Sequence, residues 1–556
     1  MFVRTKLQSN GKVTILIVEN VRESGKVRQK ILRRIATVMP SEVDRFREVA
    51  EYIKAEMEVA TKPNLFPAST LAELVSLSRQ RSIGDDSPLP VNMRKLREDS
   101  RIISGFHDVY GSLYDEIGFG KVMKHCPVSG SVLKDIVMAR LAHPVSKRAS
   151  IEMLERDFGI SVALEKVYRM MDTLDEDKIS RLQDIAWGHS RSLLTEEINL
   201  LFYDCTTLYF ESFTEDELRS FGYSKDHKFN QGQVLLALMV TREGLPVGYE
   251  VFPGNMYEGD TFKHAIEKIK KRYGVKRAIV VADSGLLSKP NIELLEKEHY
   301  EFILGARLRS LSDKWQNRIL DNTDYEKIEK ENDILRLMTY AYTKDRWLIV
   351  SHSIKRAEKD RREREKAIEG VKKKLEKSKN PKSLISNYGY KKYLTVDGDV
   401  KIRINEEKME REALWDGLHG VFTNIKRKDM DAQTILAQYH GLWQVEESFR
   451  ITKHDLRVRP VFHWSAKRIR AHIAICFVAF SLIRFLAHRI RKETGNSFSA
   501  ERIREELYRV QESIVKDINT KDKYVIPSKP SQDALTLYNA MCIKRNVVPF
   551  KLAAEV

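Results

Sequence analysis

The stretch NLLFYDCTTLYFES, residues 199–212, is an apolar and aromatic run that contains one acidic side chain, Asp204. A second run, RAIVVADSG at 277–285, is apolar and β-branched until it reaches Asp283. Both runs have the composition of buried strands, where a carboxylate costs several kcal/mol unless it is paired or binds a cation. Either aspartate alone is more simply explained as a turn cap. Two of them on neighbouring core strands favour a site for Mg²⁺ or Mn²⁺.

The residues around these two runs predict the rest of a sheet. Residues 231–255 are typical of two strands joined by a turn, and helices are expected over 261–273 and 289–298. Strands followed by helix, strand and helix predict an α/β core with a central mixed sheet. The same pattern resumes at HGVFTN, residues 419–424, after a block with a different rhythm.

That block predicts an insertion domain rich in β-strands. Short strands are expected over 334–342, 347–351, 393–396 and 400–404. One charge-dense helix is expected over 354–379, where basic residues clearly outnumber acidic ones. Such a run is either a solvated helix face or a surface that follows a DNA backbone.

The start of the chain predicts a small unit made of a hairpin and helices. Strands at 2–8 and 12–19 are joined by Ser-Asn-Gly, and Asn-Gly is a strong hairpin signal. Helices are expected over 27–38 and 43–60, and a linker with two prolines over 84–99.

A mostly helical region follows. In SKRASIEMLERDFGISVALEKVYRMMDTL, residues 146–174, a glycine turn separates two helices, and Ser161 is placed to cap the second helix, over 162–174. This pattern suits a helix-turn-helix whose second helix carries Lys166 and Arg169 toward DNA. An ordinary helical hairpin that packs on its neighbours fits the same residues.

A long helix expected over 431–454 offers a third carboxylate. Tyr439, Glu446 and Lys453 are spaced by seven residues and therefore share one helix face. A second helix is expected over 465–491.

Two glutamates compete for the role of third carboxylate. Glu447 follows Glu446 directly, but one residue rotates it about 100° away from the Tyr–Lys stripe. Arg450 lies one turn from Glu446. On helix geometry alone, an ordinary surface pair between Glu446 and Arg450 is the simpler interpretation.

Composition indicates a nucleic-acid partner. The 556 residues carry 96 basic and 79 acidic side chains, and the net charge of +17 favours a polyanion. Four widely spaced cysteines form no disulfide or zinc pattern, as expected in a reducing compartment. The most apolar stretch, 471–483, is well short of the ~20 residues needed to span a membrane.

In order, these segments resemble bacterial insertion-sequence DDE transposases of the cut-and-paste branch, a family with a ribonuclease H-like core and a Tyr-Arg-Glu-Lys signature. Tyr439, Glu446 and Lys453 match the signature, but Leu442 occupies its arginine position. A phosphate contact made by that arginine is either absent here or supplied by another residue, such as Arg450. The resemblance also rests on YDCTTLYFES (203–212), GYSKDHK (222–228), GLPVGYEVFPGNMYE (244–258), ADSGLLSKPNI (282–292), RWLIVSHSIKRAEKDRRERE (346–365), DGLHGVFTN (416–424) and RVRPVFHWSAKRIRAHI (457–473).

The resemblance implies a metal-dependent active site. Asp204, Asp283 and Glu446 would hold two Mg²⁺ or Mn²⁺ ions, with Asp204 bridging both. Tyr439 and Lys453 would hold the phosphate of the cleaved strand end. Two nearby tryptophans, at 443 and 464, either stack on an unpaired base or pack in the core.

The expected fold class is α/β, with a ribonuclease H-like catalytic core interrupted by a β-rich insertion domain and preceded by a mostly helical, DNA-binding N-terminal region. The expected regions are 1–100 (hairpin and helices), 101–197 (helical, possible helix-turn-helix), 198–307 (first part of the core), 308–416 (insertion), 417–495 (second part of the core) and 496–556 (C-terminal region).

The resemblance also implies partners and a setting. Double-stranded DNA is expected at the transposon's terminal inverted repeats and at the target, bound by a homodimer in a synaptic complex, with no membrane involved. Family members often pass through a DNA hairpin, and the setting would be the cytoplasm of a bacterium or archaeon. Rival interpretations are a ribonuclease H-like nuclease that does not transpose and an inactivated DNA-binding relic.

Overall fold

The protein is described from a computed structural model. It covers residues 2–8, 13–23, 26–40, 43, 50, 75, 89, 91–194, 200–210, 215–222, 231–257, 260–265, 279–285, 287–321, 325–330, 333–377, 394–397 and 401–552.

The strands of these residues group into four sheets. In chain order they are β1 (Phe2–Leu7), β2 (Val13–Glu23), β3 (Lys26–Val38), β4 (Leu96–Ile103), β5 (Leu200–Tyr209), β6 (Gln233–Thr241), β7 (Pro246–Pro253), β8 (Ile279–Ala282), β9 (Glu301–Gly305), β10 (Glu326–Lys330), β11 (Asp333–Ala341), β12 (Trp347–Ser353), β13 (Leu394–Asp397), β14 (Lys401–Ile404), β15 (Leu418–Thr423), β16 (Gln511–Asp517), β17 (Lys523–Pro527) and β18 (Phe550–Lys551).

The helices with described bounds surround these sheets. They are α1 (Ser112–Ile117), α2 (Pro127–Ala142), α3 (Lys147–Phe158), α4 (Leu164–Thr173), α5 (Glu176–Leu193), α6 (Lys289–Lys297), α7 (Asp313–Leu320), α8 (Ile354–Lys377), α9 (Glu406–Ala413), α10 (Ala432–His440), α11 (Trp443–Arg450), α12 (Ala466–Thr494), α13 (Ala500–Arg509) and α14 (Gln532–Ala540).

The main sheet has nine strands in the order β10-β11-β12-β15-β9-β8-β5-β6-β7. Strand β5 pairs antiparallel with β6 and parallel with β8, and β8 pairs parallel with β9. The mixed α/β core expected from the sequence is therefore confirmed. The helix expected over 261–273 lies only partly within the described residues.

Strands of the expected insertion extend this same sheet. Strand β12 pairs antiparallel with β15, and β10 and β11 continue outward from it. Within the described part of the chain, strands β13 and β14 pair only with each other. Strand β10 was not anticipated, because its sequence EKIEK is charged and carries one apolar residue.

Helix α12 lies in the core on one face of the main sheet. Its most apolar 18-residue window has a mean hydropathy of 1.8, and 89% of that window is buried inside the protein. The helix begins after Ser465, whose side chain accepts a hydrogen bond from Arg468 N, and ends at Gly495 with φ of 72°. Its apolar length is thus accounted for by packing within the protein.

The helix expected over 27–38 is wrong, since these residues form strand β3. Val27, Ile31 and Ile35 recur at helical spacing, but β-branched residues are also favoured in strands. Pairing with the whole length of β2 decides the outcome, and two register shifts in that pairing disguise the alternation of a strand. Most of the helix expected over 43–60 lies outside the described residues.

The end of the expected linker over 84–99 belongs to a strand. Strand β4 crosses the boundary placed at residue 100 and pairs antiparallel with β16, near the C-terminus. This long-range pairing could not be read from local sequence. Strands β17 and β18 complete the sheet.

The second helix of the expected helix-turn-helix begins later than the sequence indicated. Helix α4 starts at Leu164 after Ala163, which makes no side-chain cap, so Ser161 is not the N-cap. The turn itself is as expected, with Gly159 at φ of 66° ending α3. Helix α4 packs against α2 and α12.

Candidate active site

The register of two parallel strands brings the aspartates together. Leu201 pairs with Val280 and Phe202 with Val281. Continuing both strands by two residues places Asp204 beside Asp283, where β8 ends and β5 goes on. Asp204 is therefore inside strand β5 and not at its end.

Alternation along the strands turns both carboxylates to one face of the sheet. Phe202 and Val281 belong to the hydrophobic core that contains α12, whereas Leu201 and Val280 belong to the core on the opposite face. Asp204 and Asp283 each lie two residues after Phe202 and Val281, so they face the same side of the sheet as that pair. Asp204 is partly buried and Asp283 is exposed.

Helix α11 lies on that same face and carries Glu446. Val445 and Phe449 are buried in the core shared with Phe202. Just before the helix, Gly441 lies against Phe202, where a Cβ would approach the ring to 2.6 Å. Glu446 itself is exposed at the start of the helix.

Tyr439 connects the second and third carboxylates. A Cβ at Gly305, the last residue of β9, would overlap the tyrosine hydroxyl and lie 3.0 Å from Ser284 N. Burial, and after it the charges of Asp283 and Glu446, raise the pKa of Tyr439 to about 12. The hydroxyl therefore stays protonated and lies within electrostatic reach of both acids.

The long helix expected over 431–454 is interrupted. Helix α10 ends at His440, a turn follows at Gly441 and Leu442, α11 runs to Arg450, and a π-helical turn covers 451–455. Leu442 N donates to Tyr439 O and Val445 N to Leu442 O, both at 3.0 Å, so the turn is tighter than an α-helix. The seven-residue stripe is thus not a single α-helical face.

The carboxylate of Glu447 is hydrogen-bonded to another side chain. Arg450 donates from Nε and Nη2 to the two carboxylate oxygens, each at 2.7 Å, and also lies 3.4 Å from Asp455. The hydrogen bonds from Arg450 lower the pKa of Glu447. The arginine expected to pair with Glu446 therefore pairs with its neighbour, which leaves Glu446 exposed and available to a ligand.

Both aspartates accept backbone hydrogen bonds from the residues that follow them. Cys205 N donates to Asp204 Oδ1 at 2.7 Å, and Gly285 N donates to Asp283 Oδ1 at 2.8 Å. Asp283 thus caps the following turn, which does not preclude metal binding by its free oxygen. Within the described parts of the chain, no three His, Cys, Asp or Glu side chains are close enough together to hold one ion as they stand.

The remaining expected DNA contacts lie in two places. Lys453 is in the π-helical turn, with Nζ 5.6 Å from the centre of the Phe449 ring. Lys166 and Arg169 are exposed on α4, where Arg169 pairs with Glu165 at 2.5 Å. No contact links these two α4 residues to the carboxylates among the described residues.

The two tryptophans are not core residues. Trp443 is 55% exposed and Trp464 is 66% exposed. Arg219 lies over the Trp464 ring at 5.4 Å. Core packing, the simpler expectation for both, is wrong, and both rings are accessible to a ligand.

Sequence reasoning missed His419, which lies beside Tyr439, and Arg356, whose charge acts on both side chains. The His419 ring is 5.0 Å from the Tyr439 ring, and its buried Nδ1 has no hydrogen-bond partner among the residues that the structure describes. Burial, and then the charges of Arg356 and His440, lower the pKa of His419 to about 4. Both residues lie in segments that carry the resemblance, but neither has a recognisable spacing to the carboxylates.

Comparison with known proteins gives one family match. The family described as "Transposase DDE domain" matches residues 196–482, which include all three carboxylates. No curated protein sequence matches the chain.

Solved structures of transposases overlap only weakly. A piggyBac transposase synaptic complex with hairpin DNA has a TM-score of 0.32 and 10% identity, covering 80% of each chain. A Mos1 transposase paired-end complex has a TM-score of 0.15 and 13% identity, covering 45% of this chain and 70% of the other. Superpositions with scores this low do not establish a shared fold.

Proposed function

Because this chain belongs to the transposase DDE domain family and is a DNA transposase, we propose that Asp204, Asp283 and Glu446 are its catalytic carboxylates and that it moves an insertion sequence by cut-and-paste. The observation that carries this proposal is the placement of the three acids on one face of the main sheet. Two come from adjacent strands and the third from the helix packed over them.

The donor set suits hard divalent cations. Carboxylate oxygens are the ligands that Mg²⁺ and Mn²⁺ prefer, and neither Asp283 nor Glu446 forms an ion pair with a described residue. Asp204, Asp283 and Glu446 would together hold two such ions. When bound, two such ions supply activation of the attacking oxygen and stabilisation of the leaving oxygen.

The chemistry consists of two in-line displacements at phosphorus. In the first, water forms a P–O bond at the transposon end, and the bond to the DNA 3′-oxygen breaks to release a 3′-hydroxyl. In the second, that 3′-oxygen attacks a target phosphodiester, whose own 3′-oxygen leaves. The protonated Tyr439 hydroxyl donates to a phosphate oxygen, and Lys453 supplies a positive charge to the same strand end.

The surrounding regions take supporting roles in this proposal. Strands β5 to β9 form a ribonuclease H-like core, which β10 to β12 interrupt as an insertion. Lys166 and Arg169 on the exposed side of α4 contact DNA. Cutting and joining two transposon ends together requires a homodimer in a synaptic complex.

The test is strand cleavage of a labelled duplex that carries the transposon end. Asp204→Ala, Asp283→Ala and Glu446→Ala should each abolish cleavage in Mg²⁺ while DNA binding persists, because each removes a metal ligand from an accessible position. Full cleavage by any one variant removes that residue from the site. Joining of the labelled end into target DNA separates a transposase from a nuclease that only cuts.

A further inference from the structure

The first turn of helix α8 packs against Gly417, the residue before strand β15. Ser353 N donates to Gly417 O at 3.1 Å, and Gly417 N donates to Asp360 Oδ2 at 3.0 Å. At Gly417, with φ of 72°, a Cβ would lie 2.5 Å from Ser353 O and 2.8 Å from Ala357 Cβ. Only glycine permits this approach, which fixes the first turn of α8 beside the start of β15.

Two residues further along β15, His419 lies against Tyr439. Their ring centres are 5.0 Å apart. Tyr439 in turn holds its hydroxyl over Gly305, next to Ser284 and the end of β8. The first turn of α8, which contains Arg356, therefore packs against Gly417, two residues before the histidine ring that lies on Tyr439.

The electrostatics agree with this geometry. The charge of Arg356 acts to lower the pKa of Tyr439, while Asp283 and Glu446 act to raise it. The same arginine also lowers the pKa of His419. The charge of one arginine and those of two carboxylates thus act on a single hydroxyl, at which a phosphate oxygen is expected to bind.

Two arginines that contact residues of α11 are committed elsewhere. Arg450 is held by Glu447 and Asp455, and Arg484 donates to Gly244 O and Gln444 Oε1. Leu442, at the arginine position of the family signature, is buried in the core. An arginine in the usual place is therefore lacking, and Arg450 is a poor substitute.

Arg356 is available for an anion. Its side chain is 53% exposed, and its pairing with Asp360 is long, at 4.0 Å. We propose that Arg356 contacts a phosphate of the cleaved DNA strand in the active site and replaces the signature arginine that is absent at Leu442. This inference rests on the proposed function, because it assumes that the scissile phosphate binds at the three carboxylates.

The experiment measures single-turnover cleavage of a labelled transposon-end duplex by the full chain. Arg356→Ala should slow cleavage by about 10- to 100-fold, the effect of losing one arginine–phosphate contact, while binding of the duplex changes far less. The cleavage rate of Arg356→Lys should lie between those of the parent and Arg356→Ala, since lysine keeps the charge but not the two-pronged hydrogen bonding of arginine. Arg362→Ala is the matched control on the same helix, because Arg362 is exposed, pairs with Glu358 and lies on another face; its rate should stay within about two-fold of the parent's.

Substituted DNA gives a readout that a structural role would not change. Duplexes with one methylphosphonate at each position near the cleaved bond remove single phosphate charges. At the contacted phosphate, Arg356→Ala should no longer reduce the rate, whereas it should at the others. Parental cleavage by Arg356→Ala, or an equal penalty on every substituted duplex, would overturn the proposal. Loss of cleavage in Glu446→Ala in the same assay shows independently that the carboxylate site stands.

Discussion

Replacing Glu447 by glutamine should destabilise the protein and leave strand cleavage intact, whereas Glu446→Gln should do the reverse. The two residues are adjacent and chemically identical, so the pair controls for composition and position in the helix. The structure separates them by their partners: Glu447 is bound by Arg450, and Glu446 is exposed near Tyr439.

The magnitudes follow from exposure. The Glu447–Arg450 pair has two hydrogen bonds of 2.7 Å, with the side chains 29% and 47% exposed, so it contributes about 1 kcal/mol. That corresponds to a fall of roughly 2 °C in melting temperature. Glu446→Gln should change stability by less than about 0.5 kcal/mol. Its loss of a metal ligand should slow cleavage by at least about 10³-fold, or ~4 kcal/mol.

The assay combines thermal unfolding with single-turnover cleavage in Mg²⁺. Because its folded pKa is lowered, Glu447 contributes stability that is present above its ordinary pKa of 4.5 and lost as pH falls through the lowered value. Glu447→Gln should therefore approach the parent in stability at acid pH. Inactive Glu447→Gln together with active Glu446→Gln would refute the assignment of the third carboxylate.

Two further predictions concern Lys147 and Gly305. Burial lowers the pKa of Lys147 to about 7, so the folded state resists protonation of this side chain. Denaturant unfolding should show that Lys147→Met stabilises the protein by up to ~4 kcal/mol at pH 7. The same variant should lack the rise in stability that the parent shows between pH 7 and 10.5. If Lys147→Met left both the stability at pH 7 and its rise with pH unchanged, burial would not disfavour the protonated lysine. Gly305→Ala should slow cleavage about ten-fold or more by displacing the Tyr439 hydroxyl, but should cost much less when Tyr439→Phe has already removed it. An equal fall in cleavage rate in the parent and in Tyr439→Phe would show that Gly305→Ala acts through a group other than the Tyr439 hydroxyl.

Some parts of the site were accessible to sequence reasoning for clear physical reasons. Asp204 and Asp283 stand out because each interrupts a run that is otherwise buried, and strand alternation then determines the face they occupy. The choice of Glu446 over Glu447 stays a prediction, and the structure supports it by a different argument from the one made on the sequence. The helix is broken at Gly441, and the pairing of Glu447 with Arg450 distinguishes the two glutamates.

Other parts depend on contacts that local sequence does not encode. The apolar residues of 26–38 recur at helical spacing, and this segment forms strand β3 because it pairs with β2. Strand β4 looks like the end of a linker until it meets β16, more than 400 residues away. Arg356 belongs to a charged helix with many similar residues. Local sequence does not show that the first turn of this helix packs against Gly417, or that the charge of Arg356 acts on Tyr439.

The most direct test of the central claim is metal-directed cleavage of the polypeptide itself. Fe²⁺ in place of Mg²⁺, with ascorbate and peroxide, generates radicals that cut backbone next to the bound ion. In the complex with transposon-end DNA, we predict cuts at the three segments around Asp204, Asp283 and Glu446, suppressed by excess Mg²⁺. Cuts confined to other segments, or cuts at only one of the three, would contradict a metal site shared by these carboxylates.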